Sequence, residues 1–196
     1  MFINPIPAAE AEGMVARMYA EEEARSGYLP VYAQVFSHHP EAYQAWIALM
    51  SSIRNHMDSR RCELATLAAA LSLRSTNCSI AHSKVLRDRF YEAEQVVRIA
   101  SDHRHADLDD VDVAVMNFAE SAADDPTQIT RSEVQNLIAL GLSDRDILDV
   151  GLAVGARAFF ATVVEALGAP PERPMVEDLE AQLLDVLTVG RPLPPD

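Results

Sequence analysis

The chain has 196 residues, 49% hydrophobic and 23% charged, a composition that supplies a folded core and excludes a disordered one. Its 30 acidic and 16 basic side chains leave a net charge of −14, which repels phosphate backbones and anionic bilayers, so neither nucleic acid nor a membrane surface is an expected partner. Two cysteines, Cys62 and Cys78, are too few for a disulfide-built secreted fold.

Leucine, alanine, glutamate and arginine recur at helical spacing along nearly the whole chain, and no alternating apolar–polar run survives more than a few positions. The chain is read as all-α. A first acidic amphipathic helix is predicted over Ala8–Ser26, ended by Gly27. A short helix at Val31–Ser37 follows Pro30. Pro40 opens a helix to Asn55 whose Tyr43, Trp46, Ile47 and Met50 share one apolar face. Asp58 or Ser59 caps the next, running to Leu73 with Leu64, Leu67, Ala68 and Leu71 as its apolar side. Ser75, Thr76 and Asn77 are all good cap residues and start a helix to Phe90. Glu92–Ser101 is predicted helical, and Asp102–Asp107, with His103 and His105, a polar loop.

In the second half, Leu108–Ala123 carries Asp109 and Asp110 in its first turn, where negative charge suits the helix dipole. Thr130 and Glu133 have the capping-box spacing and begin a helix ending near Gly141. A weaker cap at Ser143 opens a long helix to Leu167, stopped by Gly168 and Pro170–Pro171. A last helix, Val176–Val189, precedes a proline-rich tail expected to fray. No repeat points to a solenoid. The whole chain, 1–196, is read as a single domain, with a core at about 40–125 and C-terminal helices over about 126–190.

No membrane span is expected, because the apolar stretch around Ile147–Leu167 is interrupted by Asp149, Arg157 and Glu165. The segment Met1–Pro7 lacks a basic region followed by an apolar run, so no signal peptide is expected and the cytosol is the expected compartment.

One constellation carries chemistry. Cys78 and His82 are four residues apart and share one face of a helix. Cys78 falls in that helix's first turn, where unpaired N–H groups and the dipole favour negative charge on sulfur. Glu63, on the preceding helix, meets His82 if the two helices pack antiparallel and would set the imidazole's charge and orientation. This is the arrangement of nucleophile, base and orienting group that activates a thiol. The same residues also fit a buried filler cysteine, a partly exposed histidine and a glutamate on a solvated face.

Glu63, then Cys78 after fifteen residues and His82 four further on, resembles the Glu…Cys-x-x-Cys-x-x-x-His pattern of the AhpD-like (alkylhydroperoxidase D, or carboxymuconolactone decarboxylase) family. The segments Leu86–Tyr91, Ile129–Gln135, Gly141–Asp149 and Ala158–Gly168 are similar to its peroxidase-related branch, so the resemblance covers most of residues 30–170. It implies an all-helical bundle that forms homo-oligomers, as a dimer, trimer or hexamer. It implies catalytic residues Cys78 as the peroxide-attacking thiol, His82 as the relay histidine and Glu63 as the glutamate that begins the relay.

Two positions depart from that pattern. The family's resolving cysteine falls at Ser75, and its intervening tyrosine at Asn77. A two-cysteine cycle ending in an internal disulfide is therefore not available in its usual form. A single Cys78 can still be oxidised to a sulfenic acid, and an external thiol reductant would restore it. Cys62 is the alternative resolving group, but it adjoins Glu63 and lies about 100° around the same helix, so it is read first as core filler.

The paired histidines His38–His39 and His103–His105 are read as solvated loop residues. No metal is expected on them, or on Glu63, Cys78 and His82 with a loop histidine. Tyr43, Trp46, Phe159 and Phe160 are read as core or pocket wall. Arg157, inside an apolar helix, is read as an ion-pair member at a subunit contact, with a substrate-anion contact as the alternative. No phosphate loop or dinucleotide fingerprint is present. The expected function is a thiol-dependent, peroxidase-like oxidoreductase with no cofactor, acting on a small-molecule peroxide. The alternatives are a non-redox, decarboxylase-like enzyme acting on a lactone-type substrate, and a non-catalytic oligomeric protein of the same fold.

Overall fold

A computed structural model of the protein describes residues 1–193; the end of the proline-rich tail, 194–196, lies outside the described residues. Among them are eleven α-helices and no strand. These are α1 (Gly13–Ser26), α2 (Val31–Val35), α3 (Pro40–Arg54), α4 (Ser59–Ser72), α5 (Thr76–Arg89), α6 (Ala93–Asp102), α7 (Asp110–Asp124), α8 (Arg131–Ala139), α9 (Asp144–Ala166), α10 (Arg173–Val176) and α11 (Ala181–Leu187).

The chain's own caps set most boundaries. Asp58 accepts from the Arg61 amide at the start of α4, and both Thr130 and Ser143 form complete capping boxes, at α8 and α9. Three expectations need correction. The first helix begins at Gly13 rather than Ala8, with a separate 3-10 turn at Ala8–Glu10. The segment after residue 101 is not simply a polar loop: His103–His105 is a 3-10 turn, and His103 is buried with Nε2 against Asn117 Oδ1 at 2.9 Å. The last helix is two helices, α10 and α11, because the chain leaves helical geometry between Glu177 and Glu180, and Glu180 precedes α11 in an extended conformation.

Helix α4 is the centre of the bundle. It packs mainly against α7, α5 and α9. Every residue from Cys62 to Ala70 is buried, so this helix has no solvent face over that stretch. Its run of alanines makes such burial feasible, since small side chains let neighbouring helices approach on all sides. Asp112 of α7, fully buried, pins the start of α4 by accepting from Arg61 Nε at 2.9 Å while Arg60 Nη2 lies 2.6 Å from its other oxygen.

The α4–α5 reversal sets the geometry that matters most. Arg74 adopts φ +54°, a left-handed conformation, and the Ser75 amide bonds back to Ala70 O. The chain turns within three residues, so α5 runs back along α4.

Helix α9 is long and apolar enough to cross a bilayer by length and composition. More than half of that window is buried inside the structure, and it carries the buried Asp149 and Arg157. It is therefore the second core helix of the bundle, with its inner side against α4, α7 and α3.

Candidate active site

The hairpin of α4 and α5 brings together the residues singled out from the sequence. His82 Nδ1 donates to Glu63 Oε2 at 2.5 Å and lies 3.1 Å from Thr66 Oγ1. The Thr66 hydroxyl hydrogen is directed to the Cys62 carbonyl at 2.7 Å, so Thr66 can only accept from the imidazole. Both neighbours of Nδ1 are acceptors, which fixes the proton there. Nε2 is left as a lone pair, buried and without a hydrogen-bond partner among the described residues.

Burial is the main cause of a His82 pKa lowered to about 4, the Arg157 charge adds to it, and Glu63 opposes both. Burial pushes Glu63 up, but His82, Arg54 and Arg157 outweigh it and hold the carboxyl below its ordinary value. Arg54 Nη2 donates to its other oxygen, Oε1, at 3.2 Å. Near neutral pH the pair is thus a carboxylate orienting a neutral imidazole, with the basic nitrogen free.

Cys78 is the third residue of α5 and 2% exposed. Ser75 caps the helix, accepting from the Cys78 amide at 3.4 Å. Arg157 reaches the sulfur from α9, with Nη1 3.5 Å from Cys78 Sγ. Cys78, His82, Glu63 and Arg157 all line one pocket of about 430 Å³. Its wall is aromatic: Trp46 stacks on Phe160 at 4.3 Å between centroids, Tyr43 stacks on Trp46, and Tyr32 meets Phe160 edge-on. The Arg157 guanidinium lies over both Trp46 and Phe160, at 5.7 and 5.5 Å. At one side of the pocket Tyr32 and Tyr43 donate to the buried Glu22 carboxylate, and burial beside that carboxylate raises both phenols.

Neither a family model nor a curated protein matches this sequence. Solved structures do match. A protein from Ralstonia eutropha described as an alkylhydroperoxidase AhpD core, an uncharacterized peroxidase-related protein, superposes with a TM-score of 0.77 at 16% identity. The match covers 95% of this chain and 96% of that one. An uncharacterized peroxidase-related protein from a Silicibacter species gives 0.73 at 18% identity, covering 88% and 89%. The debrominase Bmp8, as a cysteine-to-alanine variant in complex with 2,3,4-tribromopyrrole, gives 0.76 at 14% identity, covering 95% and 97%. This chain has the AhpD-like fold. At these identities the likeness establishes the fold, and the chemistry rests on the side chains.

In this AhpD-like bundle Ser75 stands where the resemblance sets a resolving cysteine, and its surroundings are those of a structural residue. It is fully buried, donates to Glu165 Oε1 at 2.8 Å and caps α5. Cys62 is a free, buried thiol outside the lining of the pocket, and burial, followed by the Glu63 charge, raises its pKa. Among the described residues no group of three His, Cys, Asp or Glu side chains is placed to hold a metal ion. His38 bonds the Asn4 carbonyl and His39 accepts from the Ala42 amide, so each has a structural partner.

Sequence reasoning left out Thr66 and Arg54. Thr66 was accessible, being one turn beyond Glu63 on the same face. Arg54 had no signal, since its pairing depends on how the end of α3 meets α4. Arg157 lies beside the thiol, and among the described residues no carboxylate is within ion-pair distance of it.

His82 and Glu63 both hold their protons less tightly in the folded chain than in the unfolded one. The unfolded chain binds protons at both groups before the folded one does, so the His82 contribution to stability is complete above about pH 6.5 and is lost as pH falls through about 4, and the Glu63 contribution is lost below the ordinary carboxylate range. The melting temperature is expected to drop steeply across that window. Replacing His82 with Gln should flatten the drop, measured by circular dichroism; an unchanged slope would show that His82 is not buried neutral.

Proposed function

We propose that the protein is a one-cysteine, thiol-dependent peroxidase in which Cys78, His82 and Glu63 are the catalytic residues. The observation that carries this reading is the buried His82 Nε2, without a hydrogen-bond partner among the described residues, in the same pocket as the Cys78 sulfur, with Nδ1–H held on Glu63. The sulfur attacks the terminal oxygen of an organic hydroperoxide, the O–O bond breaks, and the thiol proton, taken by Nε2, passes to the departing alkoxide. The products are a Cys78 sulfenic acid and an alcohol. One external thiol converts the sulfenic acid to a mixed disulfide and water; a second releases Cys78 as a thiol and leaves as an external disulfide. Arg157 Nη1, already on the sulfur, offsets the negative charge that develops there as the proton leaves.

The test is the rate at which cumene hydroperoxide oxidises Cys78, followed by trapping the sulfenic acid with dimedone and mass spectrometry. The expected rate is at least about 10²-fold above that of an unassisted thiol. A rate equal to that of an unassisted thiol overturns the reading. Arg157→Met should slow the step by about tenfold, the scale of one charge-assisted hydrogen bond.

A second reading is favoured by the aromatic wall together with the debrominase among the structural neighbours. Cys78 would take bromine from an aromatic carbon, the carbon would take a proton, and an external thiol would release bromide while forming a mixed disulfide. Bromide release from 2,3,4-tribromopyrrole in the presence of thiol separates it from the peroxidase. For either reading the expected homo-oligomer is supported by an apolar groove between α3 and α9 lined by exposed Leu49, Leu152 and Phe159.

A further inference from the structure

The charges around the pocket do not cancel when Cys78 is a thiol. Three guanidiniums line it, those of Arg25, Arg54 and Arg157. Arg25 pairs with Glu22 at 2.9 Å and Arg54 with Glu63 at 3.2 Å. Arg157 is 4% exposed, and among the described residues it has no carboxylate partner and its Nε has no hydrogen-bond partner. His82 is neutral and supplies no opposing charge. A chain of net charge −14 thus encloses, in the pocket that holds Cys78, one cation with no ion-pair partner among the described residues. Burying a charge without a counter-charge is costly, and an incoming anion removes that cost.

The donors of a guanidinium point in several directions. Arg157 uses Nη1 on the sulfur, and Nε remains for a second acceptor. The wall beside it is flat: the stacked Trp46 and Phe160 rings, extended by Tyr43. A volume of about 430 Å³ is far more than hydrogen peroxide needs and accommodates a ring with a short substituent.

We infer that the substrate class of this pocket is a planar aromatic monocarboxylate, its carboxylate on Arg157 and its ring against Trp46 and Phe160. This rests on the reading that the Cys78 pocket is the active site. It adds the charge and shape of the molecule that carries the reacting group.

Trp46 is the chain's single tryptophan, so its fluorescence reports ligands on this wall. The experiment titrates the whole protein with benzoate, its neutral isostere benzamide, and the non-aromatic anion cyclohexanecarboxylate. Benzoate is expected to bind at least tenfold more tightly than benzamide and several-fold more tightly than cyclohexanecarboxylate. In Arg157→Gln the benzoate-to-benzamide preference should fall to about one, while Arg157→Lys retains part of it. Equal binding of benzoate and benzamide by the unmodified protein, or no binding of benzoate at millimolar concentration, overturns the charge assignment. Equal binding of the two anions overturns the aromatic one. These arms need no variant, so a misfolded Arg157→Gln leaves the inference decided.

Setting the titration beside the dimedone assay of Cys78 oxidation, both in the unmodified protein, separates the two proposals. Benzoate binding with an inert Cys78 would sink the peroxidase and leave the ligand class standing. Rapid sulfenic acid formation with no benzoate binding would do the reverse.

Discussion

Glu63→Gln is expected to lower the rate of Cys78 oxidation by about 10²-fold, at the lower end of what general acid–base catalysis contributes. The size follows from what Gln keeps and what it removes. The amide is nearly isosteric and can still accept from His82 Nδ1–H, so the ring stays in place. The negative charge disappears, and an imidazolium formed at Nε2 then has Arg54 and Arg157 as neighbours with no carboxylate between them. If the amide instead turns its NH₂ toward Nδ1, the proton moves to Nε2 and the base is blocked. Both routes weaken proton uptake from the thiol. The acid limb supplies an independent readout. In the unmodified protein the rate should fall as pH approaches 4, where Nε2 becomes protonated. In Glu63→Gln the carboxylate that favours protonation is gone, so whatever rate survives should have its acid limb at still lower pH. Stopped-flow oxidation in the two proteins, with circular dichroism to verify folding, measures both. A rate within about twofold of the unmodified protein would remove Glu63 from the relay, since even modest general acid–base assistance exceeds that.

The parts of this site legible in the sequence are those held by local spacing. Cys78 and His82 are one helical turn apart, and Ser75 is an obvious cap, so the first turn and a half of α5 at the candidate site follows from seven or so residues. Glu63 was reachable because only a short reversal at Arg74 separates its helix from α5. The remainder depends on contacts distant in the chain. Arg157 comes from 79 residues beyond Cys78, and an arginine in an apolar helix reads equally as a subunit contact. Arg54 meets Glu63 only because α3 ends against α4. The burial of α4 on every side was hidden for a different reason: alanine carries little hydrophobic periodicity, so a helix surrounded by neighbours reads as one with a single apolar face. His103 was misread because a polar segment predicts solvent, whereas the half-buried Asn117 on α7 offers the buried imidazole a partner.

Ser75→Cys is expected to convert the chemistry from one cysteine to two. The Ser75 side chain caps α5, with Oγ 3.4 Å from the Cys78 amide nitrogen, so a sulfur in its place would lie in the same first turn as the Cys78 sulfur. After one equivalent of hydroperoxide, the Cys78 sulfenic acid would condense with the new thiol, releasing water and forming an internal disulfide. Dimedone trapping should fall by at least tenfold, and the intact mass should show the loss of two hydrogens in place of the gain of one oxygen. The substitution also has a structural cost. Cysteine is a poor helix cap, and Glu165, already raised by burial, loses the donor at 2.8 Å while keeping Arg191 as a neighbour. Together these should destabilise the protein by about 1–3 kcal/mol. Serine at this position supplies a well-capped, hydrogen-bonded turn in place of a thiol, and in the proposed cycle the second half would then fall to an external thiol. Undiminished dimedone trapping in a folded Ser75→Cys protein would show that the turn keeps position 75 out of the sulfur's reach. Serine there would then not be what separates this chain from a two-cysteine cycle.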